Sequence, residues 1–277
     1  MISKRQADTI LVWAVRGLIA VTVVFLLLPV LVTALIAFDS RDYIGTFPPP
    51  AMSLRWFINL WNHSYIWGGF KTSLLLATSA TIVASVTGAL AALAINRMSP
   101  RWRDLVTTIF LSPLVLPGVI IGFALLMFFS LLAPLPAFVK LLASHLIITM
   151  PYTVRMTLIG LTGIGASLRE AALSLGATES QAFFTITLPL AKNGIAAGAI
   201  FAFAFSMDDV AISLFLSDFN TYTLPVALIS LMKSKFDLTI AAAAVGLMAV
   251  TVILLIVLDR VIGLERAIGQ GIYRMSK

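Results

Sequence analysis

Six long apolar stretches constrain the fold of this chain more than any other feature of its sequence. They cover residues 10–38, 68–95, 105–132, 138–158, 193–215 and 238–262. Each has roughly 20 or more residues, the length that an α-helix needs to cross a hydrocarbon core of ~30 Å. With a mean hydropathy of +1.03 and 11% charged residues, the chain is too apolar for a soluble domain of 277 residues. We therefore predict an all-α polytopic membrane protein with six transmembrane helices.

Lysine and arginine residues orient these spans. If the N-terminus is cytoplasmic, thirteen of the nineteen basic residues lie on the cytoplasmic side and six on the opposite side. The positive-inside rule then predicts a multi-pass membrane protein with both termini in the cytoplasm. Because this bias accounts for the net charge of +7, we expect membrane lipid and no nucleic acid as a partner. The first apolar stretch is too long for a cleaved signal peptide, so we expect it to be retained.

A polar to amphipathic segment at residues 160–190 separates the fourth span from the fifth. Ser167 and Glu170 have the spacing of a capping box, which predicts the start of a short helix. Gly176 stands where a glycine in the left-handed conformation ends a helix. Between them, apolar residues with helical periodicity form one stripe: Leu168, Ala171, Ala172 and Leu175.

A second short helix is predicted immediately after Gly176. Thr178 and Gln181 repeat the capping-box spacing, and Pro189 is expected to stop this helix because proline lacks the backbone N–H. The two helices would meet at an elbow with a face of small residues that another protein could grip. The alternative is a helix that lies on lipid headgroups, but an Ala-rich face with few basic residues makes a poor lipid anchor.

The spacing within this segment resembles the EAA loop of type I ABC importer permeases. That motif has an acidic residue with two alanines, then a glycine, a branched apolar residue and a Leu-Pro pair at fixed intervals. Every position is filled here, by Glu170, Ala171, Ala172, Gly176, Ile186, Leu188 and Pro189. In that family the loop is the coupling helix, seated in a cleft of the cytoplasmic ATPase. The resemblance therefore implies that these residues, together with Ser167, couple the chain to an ATPase.

The resemblance extends over residues 67–262 and implies a type I ABC importer permease fold and its assembly in the bacterial inner membrane. Residues 1–66 would form the first transmembrane helix and a periplasmic loop. Residues 67–263 would form the permease domain with its coupling loop, and residues 264–277 a cytoplasmic tail. The implied partners are a second homologous permease subunit, a dimeric ABC ATPase and a periplasmic substrate-binding protein.

No pattern in the chain predicts catalysis or a cofactor. Residues 68–72 imitate a phosphate-binding loop but have the wrong spacing, so ATP and Mg²⁺ are expected on the partner ATPase. His63 and His145 are isolated and the chain has no cysteine, which argues against a metal site. His145 is more often a packed or hydrogen-bonded histidine than a ligand. An ion-coupled secondary carrier and an intramembrane enzyme are the alternatives to an importer.

Two glycine pairs at four-residue spacing lie in the third and fifth spans. They are Gly118 with Gly122 and Gly194 with Gly198. Such pairs allow helix backbones to approach closely, so they predict packing contacts and imply nothing about function.

Asp208 and Asp209 lie within the fifth apolar stretch. A carboxylate at membrane depth costs roughly 2.5–3.5 kcal/mol on insertion scales, so the pair needs partners. One interpretation is structural: the carboxylates cap a helix break or pair with a basic residue of a neighbouring helix. The other makes at least one of them a cation-recognising wall of the translocation path. Both side chains can face one cavity only if the helix unwinds there, because adjacent helical residues point ~100° apart.

The sequence around this acidic pair resembles the spermidine/putrescine permease subgroup. The resemblance rests on the run from Phe203 through Ser206, Asp208 and Asp209 to Phe215 and on Thr223-Leu-Pro225. It implies a small amine-bearing solute, most readily a polyamine, with an opine, an aminophosphonate or an amino-acid-like amine as alternatives. Gly118 stands where this subgroup commonly has an acidic residue, and fewer fixed negative charges would suit a solute with fewer positive charges.

Overall fold

The computed structural model describes residues 4–43, 45–132, 134–161, 166–234 and 237–262. Within these ranges the helices are α1 Lys4–Ile36, α2 Arg55–Asn62, α3 Ser64–Asn96, α4 Pro100–Leu111, α5 Gly118–Ser130, α6 Ala137–Leu161, α7 Ala166–Ser174, α8 Glu179–Ala182, α9 Leu188–Asp208, α10 Ala211–Leu216, α11 Leu224–Ser234 and α12 Thr239–Ile262. A 3₁₀ turn at Ser112–Leu114 precedes α5, and a π-helical turn at Phe183–Thr187 joins α8 to α9. The predicted cytoplasmic tail at 264–277 lies outside the described residues.

The all-α polytopic prediction is confirmed. In the described part of the chain, four helical segments are long and apolar enough to cross a membrane: Asp8–Ile36, Ser64–Asn96, Ala137–Leu161 and Glu179–Asp208. A bent pair of helices can supply a fifth span, and α12 coincides with the sixth predicted stretch. The predicted count of six agrees roughly with this arrangement.

The third predicted span is not a straight helix. Pro100–Leu114 and Gly118–Ser130 meet at an angle of 93°. Pro113 and Pro117 cause the break, since proline cannot donate the helical hydrogen bond and disfavours helical geometry in the residue before it. The chain therefore leaves α4 through the 3₁₀ turn and starts a new helix immediately after Pro117.

The described residues divide into two compact units. One comprises the described residues within 1–63 and 231–249, and the other comprises those within 64–230 and 250–262. In the first unit, Trp56 packs with Ala37, Leu238 and Ala242, and its indole N–H donates to the carbonyl of Asp39 at 2.7 Å. The Asp39 carboxylate binds the Arg41 guanidinium, which holds the pKa of that carboxyl below its ordinary value. The apolar surface of α1 is exposed over residues 8–31 and becomes half-buried in its last turn.

Small residues bring the helices of the second unit together. Its centre is formed by α3, α6 and α9, which pack against one another. A Cβ added at Gly194 would come within 2.6 Å of the Met156 carbonyl oxygen, and one at Gly198 within 2.8 Å of the Thr153 Cα. At Gly122 it would lie 3.0 Å from the Ala211 carbonyl oxygen, so both glycine pairs serve the predicted close packing.

Candidate functional site: the elbow and the acidic helix break

The elbow between α7 and α8 is built around Gly176. This residue has φ of +92°, the left-handed conformation that the sequence predicted. Its N–H donates to the Leu173 carbonyl at 3.0 Å, and the Ala177 N–H donates to the Ala172 carbonyl at 3.0 Å. These two bonds form a Schellman motif, which ends α7 and satisfies its last carbonyls.

The second capping box is confirmed in full. The Gln181 N–H donates to the Thr178 hydroxyl at 3.3 Å, and the Thr178 N–H donates to the Gln181 side-chain oxygen at 2.8 Å. The structure does not test the first capping box in the same way. Ser167 is the second residue of α7, and its side chain lies outside the described part of the chain. That capping role of Ser167 stays a prediction.

An ion pair that sequence reasoning missed spans the elbow. The Arg169 guanidinium on α7 binds the Glu179 carboxylate on α8 through two hydrogen bonds. This ion pair lies across the turn at Gly176 and links the two short helices. The two residues are ten positions apart, beyond the reach of the i, i+4 rule for helical pairs, so only the folded turn brings them together.

The outward face of α7 is available to a partner. The predicted stripe is largely exposed, with Leu168 at 51% and Leu175 at 89% of their full surface, and Glu170 and Ala171 are exposed as well. An apolar stripe that faces outward from a polar turn is typical of a surface that another protein covers.

The prediction that Pro189 stops the second helix is wrong. The chain stays helical from Glu179 through Pro189 to Asp208. The π-helical turn explains the difference: the Leu188 N–H bonds to the Phe183 carbonyl five residues back, which widens the backbone just before the proline. Proline normally clashes with the carbonyl four residues earlier, and the wider turn relieves that clash. Ile186 on this turn and Leu188 at the start of α9 are half-buried, and Pro189 is exposed.

The acidic pair lies at a break in the predicted fifth span. Helix α9 ends at Asp208, Asp209 is extended with ψ of 121°, and α10 begins at Ala211. The fifth predicted span, 193–215, is therefore interrupted at the acidic pair, and the unwinding that would free both carboxylates is present. The two side chains have different surroundings. Asp208 is exposed and, within the described residues, has no hydrogen-bond or ion-pair partner.

Asp209 acts as the cap of α10. Its carboxylate accepts the backbone N–H of Ser213 at 2.8 Å and that of Ile212 at 3.4 Å. It also accepts the Ser213 hydroxyl at 2.9 Å, and only 10% of its side chain is exposed. The capping geometry that the structural interpretation expects is therefore present at Asp209, since a carboxylate at a helix start satisfies N–H groups that have no partner within the helix.

His145 of α6 lies fully buried beside this break. Its Nδ1 is 2.7 Å from the Ser206 hydroxyl and its Nε2 is 3.1 Å from the Ser213 hydroxyl. The Nε2 is also 3.7 Å from the Asp209 carboxylate. The predicted hydrogen-bonded histidine is thus observed. Its partners could not be identified from the sequence, because they lie 61 and 68 residues further along the chain.

Comparison with known proteins identifies the family of this chain. The profile of the family described as "Binding-protein-dependent transport system inner membrane component" matches residues 84–264, well over half of the chain and including both the elbow and the acidic break. The chain belongs to this family. It is accordingly a permease subunit of a binding-protein-dependent ABC importer in the inner membrane, and ATP is hydrolysed by a partner subunit. The secondary carrier and the intramembrane enzyme fall away as alternatives.

Named relatives and a solved structure agree with the family. The spermidine/putrescine transport system permease protein PotC of Shigella flexneri is 27% identical over 92% of this chain and 96% of its own length. The putrescine transport system permease protein PotI of Escherichia coli (strain K12) is 31% identical over 79% of this chain and 80% of its own. The crystal structure of a bacterial ABC transporter that imports the acidic polysaccharide alginate aligns over 94% of this chain and 98% of that chain, with a TM-score of 0.72. At 18% identity, that structure bears on the fold alone.

Proposed function

We propose that this permease carries a small cationic amine of the polyamine type, such as putrescine or spermidine, across the inner membrane. The observation that carries the proposal is the exposed carboxylate of Asp208, which has no partner in the described residues and stands at a helix break within an apolar span. A cation in transit would supply the charge that this carboxylate lacks. The names of the relatives PotC and PotI support the same solute class.

The assembly that we propose has two homologous permeases, this chain and a sister subunit, on a dimeric ABC ATPase. The elbow would seat in the ATPase through its exposed stripe, including Leu168 and Leu175. ATP and Mg²⁺ would bind only to the ATPase subunits, with no cofactor on this chain. Closure of the ATPase dimer would draw the two elbows together, and their movement would turn the permease from inward-facing to outward-facing.

A transport assay tests the solute. The chain, its sister permease and the ATPase would be reconstituted in liposomes with the binding protein, and uptake of labelled putrescine measured. We expect uptake that requires ATP and that spermidine inhibits by competition. If putrescine and spermidine neither enter nor compete while an opine, an aminophosphonate or an amino-acid-like amine does, the polyamine assignment is wrong and the importer carries that solute.

Reporter fusions test the orientation of the chain. We expect a fusion at Ser53, in the loop after α1, to be active as a periplasmic reporter, because the basic residues favour a cytoplasmic N-terminus. A fusion after Lys277 is expected to be active as a cytoplasmic reporter. A periplasmic C-terminus would contradict the predicted topology and would place the elbow on the side opposite the ATPase.

A further inference from the structure

The side chain of His145 joins both sides of the helix break to α6. Ser206 lies just before the break and Ser213 just after it, and one ring nitrogen of His145 is within hydrogen-bond distance of each. His145, Ser206 and Ser213 are all fully or almost fully buried. A single side chain of a continuous helix therefore bridges the two residues that separate α9 from α10.

The hydrogen-bonding capacities of these groups assign a direction to the network. Ser213 donates its hydroxyl proton to Asp209, so its oxygen is left to accept from His145 Nε2–H. A neutral imidazole then has a free lone pair on Nδ1, which accepts the Ser206 hydroxyl proton. The hydrogen bonds thus run from Ser206 through His145 and Ser213 to Asp209. Every donor along this path is used, and the last acceptor is the Asp209 carboxylate.

This network gives the two adjacent carboxylates different roles. The Asp209 carboxylate accepts hydrogen bonds from two backbone N–H groups and from the Ser213 hydroxyl, so its oxygens point into the protein. Asp208 receives none of these bonds and is exposed. We propose that His145 is a positioning residue that keeps Asp209 on the cap of α10 and thereby turns Asp208 toward the passing solute. This inference rests on the proposed function for its solute and on the observed hydrogen bonds for its geometry.

The neighbouring serine offers a matched control. Ser144 is equally buried on the same helix, but its hydroxyl donates to the Lys140 carbonyl within α6. Ser144→Ala therefore removes a buried hydroxyl without touching the break. Ser206→Ala removes one of the two bonds of His145 and keeps the histidine in place, so it tests the same idea with less disturbance than His145→Ala.

Thiol labelling measures the geometry without depending on transport. The chain has no cysteine, so Met207→Cys introduces a single thiol at a position that is 4% exposed and directly beside the break. In the assembled complex, we expect a water-soluble methanethiosulfonate reagent to label this cysteine about tenfold faster when His145→Ala is added. The reason is that a decrease of ~1.4 kcal/mol in the free energy that keeps the break closed shifts its opening equilibrium tenfold. Ser206→Ala should accelerate labelling in the same direction, and Ser144→Ala should leave the rate unchanged.

Uptake kinetics test the link to Asp208. We expect His145→Ala to raise the KM for putrescine about tenfold, equivalent to ~1.4 kcal/mol, with a smaller change in maximal rate. On an Asp208→Asn background, His145→Ala should raise the KM no further, because both changes act through one carboxylate. Unchanged labelling rates in both His145→Ala and Ser206→Ala overturn the positioning role. A KM increase caused by His145→Ala that persists in full on the Asp208→Asn background overturns it as well. If the wild-type complex takes up no putrescine, the proposed solute is wrong, while the labelling result still decides whether His145 holds the break.

Discussion

Gly176→Val is expected to abolish solute uptake while the subunit still inserts in the membrane. The structure leaves open space around a Cβ at this position, so the substitution causes no clash. Its effect comes from the backbone: φ of +92° is disfavoured for a β-branched residue by an energy on the order of 1 kcal/mol or more. Relief of that strain would undo the Schellman bonds of Gly176 and Ala177 and misdirect the elbow away from the ATPase. Uptake and solute-stimulated ATPase activity of the reconstituted complex measure the result.

Gly17→Val is the matched control for this substitution. Gly17 also has nothing within 4 Å of an added Cβ, but it lies in α1 with an ordinary negative φ. The control variant is expected to keep uptake near the wild-type level, so the comparison isolates the conformational requirement at Gly176. Gly176→Asn should be intermediate, because asparagine tolerates the left-handed region better than valine. Full uptake and full stimulated ATPase activity in Gly176→Val would show that the elbow does not couple the two subunits.

Asp208→Asn is expected to lower uptake of a cationic amine about tenfold or more at low solute concentration, because a lost interaction of only ~1.4 kcal/mol weakens binding tenfold. The substitution preserves the shape of the side chain and removes its charge. Since Asp208 has no partner in the described residues, the complex should still assemble and hydrolyse ATP normally. Labelled putrescine uptake, together with the amount of assembled complex, provides the measurement.

Asp209→Asn is expected to act differently. The substituted side chain would present one acceptor oxygen where the carboxylate has two, so its amide nitrogen would oppose either the Ser213 N–H or the Ile212 N–H. The start of α10 and its bond to His145 should weaken, which lowers the amount of stable subunit before it affects solute recognition. Unchanged uptake in Asp208→Asn, or equal loss of assembly in both variants, would contradict the division between a solute-facing and a structural carboxylate.

Local rules were reliable where a few neighbouring residues decide the outcome. The left-handed conformation of Gly176 and the capping box of Thr178 with Gln181 involve bonds across three to five residues, so the residue types in their order suffice to predict them. The rule for Pro189 failed for an equally local reason. One additional residue in the preceding turn removes the clash that ends most helices at proline, and no residue type signals such a π-helical turn.

The sequence by itself determined that the chain is a helical membrane protein, because the length and polarity of its apolar stretches leave its backbone hydrogen bonds no other arrangement in lipid. It also located the elbow and the acidic pair. Only the tertiary structure distinguished the surroundings of Asp208 and Asp209, which look equivalent as neighbours in the sequence. The two carboxylates differ because the chain unwinds at Asp209 and places this carboxylate on the start of α10, where α6 brings His145 against Ser213. Such a network depends on positions more than sixty residues apart, and their proximity follows from how the helices pack.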